Sequence, residues 1–203
     1  MGWWLMVLSS LVLARVQYEG GGDWYNDPEI LPNLAKFLRQ EAGLEVDTQQ
    51  AVVRLSDPNL SRYPFLFLTG HGNIVLRPQE IQNLRRYLLQ GGFLFADDDY
   101  GMDTAFRREM ARVFPDLKWV ELPRSHPLYH LLYTFPRGLP KIHEHHPGPP
   151  RGYALIHQGR VMVFYAYNSN ISDGWTDRYR DPPERRQQAL RMGANLVLYA
   201  LLY

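Results

Sequence analysis

The stretch Phe65-Leu66-Phe67-Leu68-Thr69-Gly70-His71-Gly72-Asn73 decides the fold. Four consecutive apolar residues without polar alternation describe a strand covered on both faces, as in a parallel sheet flanked by helices. The run passes at once into a polar loop with a glycine on either side of His71. Pro78-Gln79-Glu80 then opens a helical period that carries Ile81, Leu84 and Leu88 to one side. Gly91-Gly92 stops it. Phe93-Leu94-Phe95-Ala96 is a second apolar strand, and it ends in Asp97-Asp98-Asp99-Tyr100-Gly101-Met102-Asp103. Strand, loop, helix and strand in this order make a βαβ unit.

The same punctuation extends in both directions. Upstream, residues 15–18 read as a strand that Glu19-Gly20-Gly21-Gly22-Asp23 interrupts, and Asp27-Pro28-Glu29 carries the signals of a helix start. Leu31, Leu34, Ala35 and Leu38 follow at helical spacing up to Gly43, and residues 51–55 form a weaker strand. Downstream, a helix is expected over residues 104–114 and a further strand over 119–122. Residues 123–150 dissolve into Pro, His and Gly, the mark of a functional loop or lid. Residues 153–156 and 161–165, joined through Gln158-Gly159, read as a hairpin. A polar loop over 168–181 leads through Pro182-Pro183 into a final helix. Its end is apolar on most faces, so it is either buried or a homo-oligomer contact. The expected architecture is α/β, a mostly parallel sheet with helices on both faces and a C-terminal hairpin and helix, in one domain over residues 15–203.

Composition narrows the function classes. Apolar residues make up 45% of the 203, enough for a sizeable core. A net charge of +1 gives no global field for nucleic acid or anionic lipid, and neither is expected as a partner. The absence of cysteine removes disulfides, thiolate metal sites and thiol nucleophiles together. The apolar segment of residues 3–14 has the length of a signal peptide and is too short to span a bilayer; Val12-Leu13-Ala14 offers a cleavage signature. Export to the periplasm or outside the cell is the expectation. The alternative is a cytoplasmic protein with an extra buried strand, or an uncleaved anchor.

Several of these stretches carry a resemblance. Gly21-Gly22-Asp23-Trp24-Tyr25-Asn26-Asp27-Pro28, Leu68-Thr69-Gly70-His71-Gly72, Gly91-Gly92-Phe93-Leu94-Phe95-Ala96-Asp97-Asp98, Leu139-Pro140-Lys141-Ile142-His143-Glu144-His145 and Asp173-Gly174-Trp175 resemble a bacterial family catalogued as domain of unknown function 4159. The resemblance implies a flavodoxin-like sheet of the glutamine-amidotransferase-like class and carries no activity with it. In the amidotransferases of that class a cysteine sits on a sharp strand-to-helix turn. The matching turn here, residues 96–101, holds aspartates, so amidotransfer is excluded.

In an open α/β sheet, ligands bind beyond the carboxyl ends of the strands. Four polar clusters fall there by chain order: residues 20–23, 69–73, 97–103 and 168–173. Gly21, Gly22, Asp23 and Trp24 could bring backbone amides and an aromatic ring to a ligand, although the spacing is not a dinucleotide fingerprint. His71 is a candidate acid, base or ligand; the plainer reading is a hydrogen-bonded loop histidine. Asp98 and Asp99 are candidate site carboxylates. Strand alternation places Asp97 and Asp99 on one side and Asp98 on the other, and the plainer reading is capping, with Asp103 at the helix N-cap. His143 and His145 face one way if the chain is extended, a spacing suited to a divalent metal, the sole cofactor suggested. Tyr100, Asp173 and Trp175 complete the candidate ligand set. Two functions follow: a binding module for a small molecule or protein, or a carboxylate and histidine hydrolase with or without a metal.

Overall fold

The structure is a computed structural model that describes residues 10–203. The apolar segment of residues 3–14 therefore lies outside the described residues as far as residue 9. From there Leu11 bridges to Val46, and Leu13 is buried in the core. Seven strands follow in chain order: β1 (Ala14–Gln17), β2 (Ala51–Arg54), β3 (Phe65–Leu68), β4 (Phe93–Asp97), β5 (Val120–Glu121), β6 (Arg151–His157) and β7 (Arg160–Tyr167). The four α-helices are α1 (Ile30–Glu41), α2 (Pro78–Leu89), α3 (Asp103–Val113) and α4 (Pro183–Leu202). The strands form one sheet in the order β2-β1-β3-β4-β7-β6-β5. Strands β2, β1, β3, β4 and β7 are mutually parallel, and β6 runs antiparallel to both β7 and β5. The arrangement is α/β and consistent with a flavodoxin-like fold.

Pleating divides the central strands between two cores. Phe65 and Phe67 of β3 and Phe93 and Phe95 of β4 face α1 and α4, packing with Leu31, Leu34, Met192 and Leu196. Leu66, Leu68, Leu94 and Ala96 face the opposite way, toward Leu84 and Leu88 of α2 and Phe106 and Met110 of α3. Helices thus cover both faces, which is why both strands read as unbroken apolar runs. No described helix is long and apolar enough to cross a membrane. The second half of α4, from Ala189 to Ala200, is largely buried, and beyond it Leu201, Leu202 and Tyr203 are exposed.

Two helix starts differ from the sequence expectation. Helix α1 begins at Ile30, because Asp27 adopts φ 42°, a left-handed conformation that cannot open a helix. Its carboxylate is bound instead by Tyr179 Oη at 2.6 Å and Arg178 Nη1 at 2.5 Å. At α3 the N-cap is Met102, with Asp103 inside the first turn; the Asp98 carboxylate accepts the Met102 N–H at 3.1 Å and does the capping.

Arg15 places a fully buried guanidinium in β1, over the Phe67 ring. It donates to the carbonyls of Trp24 (2.9 Å), Asn26 (2.5 Å) and Asp27 (2.9 Å), tying the loop after β1 to the sheet. Burial pulls its pKa down to about 10, which still leaves it charged at neutral pH. Arg15→Met orphans the carbonyls of Trp24 and Asn26, leaves that of Asp27 with only the Ile30 N–H at 3.3 Å, and is expected to lower stability by about 2–4 kcal/mol, read as a fall in the urea midpoint. Arg15→Lys should recover little of it, since one ammonium cannot reproduce the planar fork.

Candidate functional site

Because β1, β3, β4 and β7 are parallel, the loops that follow them emerge on one edge of the sheet. Strand order reverses between β1 and β3, so the loops after these two strands flank the switch point. Strand β5 also points toward this edge, since two antiparallel steps separate it from β7. The long loop between β5 and β6 therefore begins and ends there.

The loops after β1 and β3 lie side by side through glycine. Gly22 donates its N–H to the Asn73 carbonyl at 3.0 Å, and a Cβ on Gly22 would sit 2.7 Å from the carbonyl oxygens of both His71 and Asn73. Gly70 has φ +136°, and a Cβ there would strike the Tyr18 hydroxyl. This close approach sets His71 against Asp23. The Asp23 carboxylate accepts the His71 backbone N–H at 2.5 Å and meets the ring Nδ1 at 3.0 Å. The other ring nitrogen, Nε2, lies 3.3 Å from Asp99 Oδ2, which also accepts Asn26 Nδ2 at 2.5 Å. Burial, reinforced by repulsion from Asp173, pushes the Asp99 carboxyl up to about 7. Burial alone would lower His71, but Asp99 and Asp23 outweigh it and the imidazole titrates above its ordinary value. Asp23 is partly desolvated, yet its hydrogen bonds from His71 hold it below the usual carboxylate range.

A second imidazole–carboxylate group lies beside the first. Backbone bonds from Ile142 N and His143 N to the Ser169 carbonyl, at 2.8 and 3.4 Å, pin the histidine loop to the turn after β7. His143 is held at both nitrogens, Nδ1 by Asp173 Oδ2 and Nε2 by Asp181 Oδ2, each at 2.8 Å. These two bonds raise its pKa to about 9 despite burial. His145 carries its Nε2 to 2.8 Å from Asn170 Nδ2 and is shifted downward, chiefly by desolvation. Asn170 joins the two groups: its Nδ2 also lies 3.1 Å from Asp99 Oδ1, 2.7 Å from the Asp99 carbonyl and 3.2 Å from Asp173 Oδ2.

The structure thus brings together Asp23, His71, Asp99, His143, His145 and Asp173 from the residues singled out by sequence. Tyr100 borders them, half exposed, with ring centroids 5.3 Å from both His145 and His146. Asp98 turns away toward α3, where burial raises its pKa. Gly21 (φ +92°) shapes the loop, and Trp24 packs edge-to-face with Tyr25 at 5.6 Å and against the core on the α2 and α3 side. Trp175 is fully buried against the adjacent rings of Phe67 and Phe95 and gives its indole N–H to the Ala189 carbonyl at 2.9 Å. Asn26, Asn170 and Asp181 belong to the cluster and were not singled out. The available signal was weak: an Asn-Ser-Asn run beyond a strand, with Asn168 and Asn170 both at positive φ, as asparagine tolerates.

Chemically the rim is rich in acceptors and poor in cations. Among the described residues, no Lys or Arg pairs with Asp23, Asp99 or Asp173; each has only an imidazole. Thr69, the hydroxyl nearest in sequence to His71, is buried and donates to the Asp97 carbonyl at 3.0 Å, so it is not presented as a nucleophile. Two surface cavities lie elsewhere, one lined by Phe135, Leu139 and Arg191 and one by Ile81, Arg85 and Leu89. Neither gathers carboxylates or imidazoles; a third, lined by Phe37, Asp177, Asp181 and Arg186, reaches the cluster only through Asp181. The chemistry marks the rim as the candidate site.

Fold and site together define an α/β domain with a cysteine-free, carboxylate-rich strand edge. The sequence matches the family described as "Domain of unknown function (DUF4159)" over residues 12–201, and the chain belongs to that family. No curated protein matches it.

Proposed function

We propose that this chain is a non-catalytic binding domain, an amidotransferase-like scaffold without its nucleophile. In this reading the rim holds a positively charged, donor-rich group such as a guanidinium or ammonium. The observation that carries it is the set of three carboxylates, Asp23, Asp99 and Asp173, paired only with imidazoles. Each imidazole is shared by two carboxylates, His71 by Asp23 and Asp99 and His143 by Asp173 and Asp181, so acid outnumbers base in a partly buried setting, and a ligand cation relieves that cost. Binding is preferred over hydrolysis because both ring nitrogens of His71 already face carboxylates. The same charged group could belong to a small molecule or to a side chain of a partner protein. We also propose export, with any processing upstream of Leu11, because Leu11 bridges to Val46 and Leu13 is buried in the core.

Calorimetric titration with arginine amide and with an arginine-rich hexapeptide tests the reading and separates the two sources. Saturable binding of either, with none of glutamate, is expected. Asp99→Asn should weaken it about tenfold or more. Equal binding by Asp23→Asn, Asp99→Asn and the parent protein would remove the rim from consideration.

A further inference from the structure

The second group at the rim has the composition and spacing of a metal centre. One ligand atom each from His143, His145 and Asp173 lies within 4.8 Å of the others. Cation bonds of about 2.0–2.2 Å bring three such atoms together through small side-chain rotations. The orientation of His143 supports the same conclusion. Asp181, itself almost fully buried, holds Nε2 at 2.8 Å and thereby turns Nδ1 toward Asp173. A carboxylate on the distal nitrogen is the arrangement that orients metal-bound imidazoles and raises their basicity.

Asn170 supplies an independent observation. It is only 1% exposed, and its Oδ1 has no hydrogen-bond partner. Its Nδ2, meanwhile, is within 3.2 Å of four acceptors: the Asp99 carbonyl, Asp99 Oδ1, Asp173 Oδ2 and His145 Nε2. An amide nitrogen has two hydrogens, so it cannot serve all four, and of them Asp173 Oδ2 also meets His143 Nδ1. A surplus of acceptors around a buried amide whose oxygen is idle is a setting that a bound cation would satisfy.

We propose that His143, His145 and Asp173 bind a single divalent first-row transition cation, with Asp181 as the positioning residue for His143 and Asn170 beside the open side of the ion. Two imidazoles and one carboxylate favour zinc or its neighbours over magnesium and calcium, which prefer oxygen donors throughout. Three protein ligands leave coordination positions free on the side of Asp99 and Asn170. The inference rests on the rim being a binding site and names the cation for its His143 half.

The test uses the full chain, stripped with chelator and titrated with Co²⁺ and Zn²⁺. One equivalent of Co²⁺ should give visible ligand-field absorption, and Zn²⁺ should displace it. His145→Ala alters an exposed loop side chain, so the protein should fold, and Asp173→Asn preserves shape; each should weaken binding about 100-fold or more. Asp181→Asn should weaken it about tenfold, and His71→Ala should leave it intact. Absence of a cobalt spectrum in the parent protein overturns the proposal, as does a spectrum unchanged in His145→Ala and Asp173→Asn. If metal binding fails while Asp99→Asn still weakens arginine amide binding, only the cation site falls.

Discussion

Trp175→Ala is expected to lower stability by about 3–5 kcal/mol, the range for emptying a fully buried indole site. For a chain of 203 residues this corresponds to a fall in melting temperature of roughly 10 °C. The rings of Phe67 and Phe95 flank the indole with centroids 5.8 Å away, and both belong to central strands that cannot move in to fill the void. On the other side the α4 backbone approaches so closely that a Cβ on Gly193 would lie 2.7 Å from the indole. The Ala189 carbonyl would also lose its donor. Trp175→Phe keeps a ring and should recover more than half of the loss. Urea unfolding of both variants decides the matter. An unchanged midpoint in Trp175→Ala would return this residue to the ligand-binding surface, where its sequence neighbourhood first put it.

The second large effect is a dependence on pH. Asp97 is fully buried, and burial pushes its carboxyl up to about 8, although the Ser172 N–H bonds Oδ2 at 2.6 Å; Oδ1 has no partner. The unfolded carboxyl titrates near pH 4. Between these values the folded protein holds a proton that the unfolded chain has lost, so stability falls as pH rises from about 4 to about 8. The full span is on the order of 5–6 kcal/mol. Asp97→Asn removes the titration and should flatten this part of the profile. The variant should exceed the parent at pH 8.5 by about 2 kcal/mol and lose the advantage at pH 4.5. Denaturation midpoints in chelator at the two pH values measure the difference. Parallel profiles for variant and parent would show that Asp97 is ionised in the fold.

Sequence made the central sheet legible because its strands need no partner to declare themselves. Phe65-Leu66-Phe67-Leu68 and Phe93-Leu94-Phe95-Ala96 are apolar on both faces, and Pro78 and Gly91-Gly92 bound the helix between them. The start of α1 was misread because Asp27-Pro28 carries every local signal of a cap, while Tyr179 and Arg178, some 150 positions later, claim the carboxylate. At the rim, alternation correctly set Asp98 apart from Asp97 but did not reveal how the three aspartates divide. Asp97 faces the turn at Ser172, Asp98 caps α3, and Asp99 alone reaches His71. Asn26 and Asn170 were invisible because an amide declares its role only through its neighbours. Trp175 was ambiguous for the converse reason: a ring beside a polar loop reads the same whether it faces solvent or core.

The reversal of direction at β6 has a consequence for how such a rim can change. Parallel strands need crossover helices, so Asp23, His71 and Asp99 are embedded in the wiring of the sheet. His143 and His145 arrive on a connection between antiparallel neighbours β5 and β6, and that connection begins and ends at the same edge. It can lengthen, shorten or exchange its side chains without disturbing the strand order or threading a helix. The imidazole supply at this edge is therefore a detachable part and the carboxylate supply a fixed one. Variation among chains of this architecture should be concentrated in residues 123–150, with the aspartate framework beneath them held constant by the topology itself.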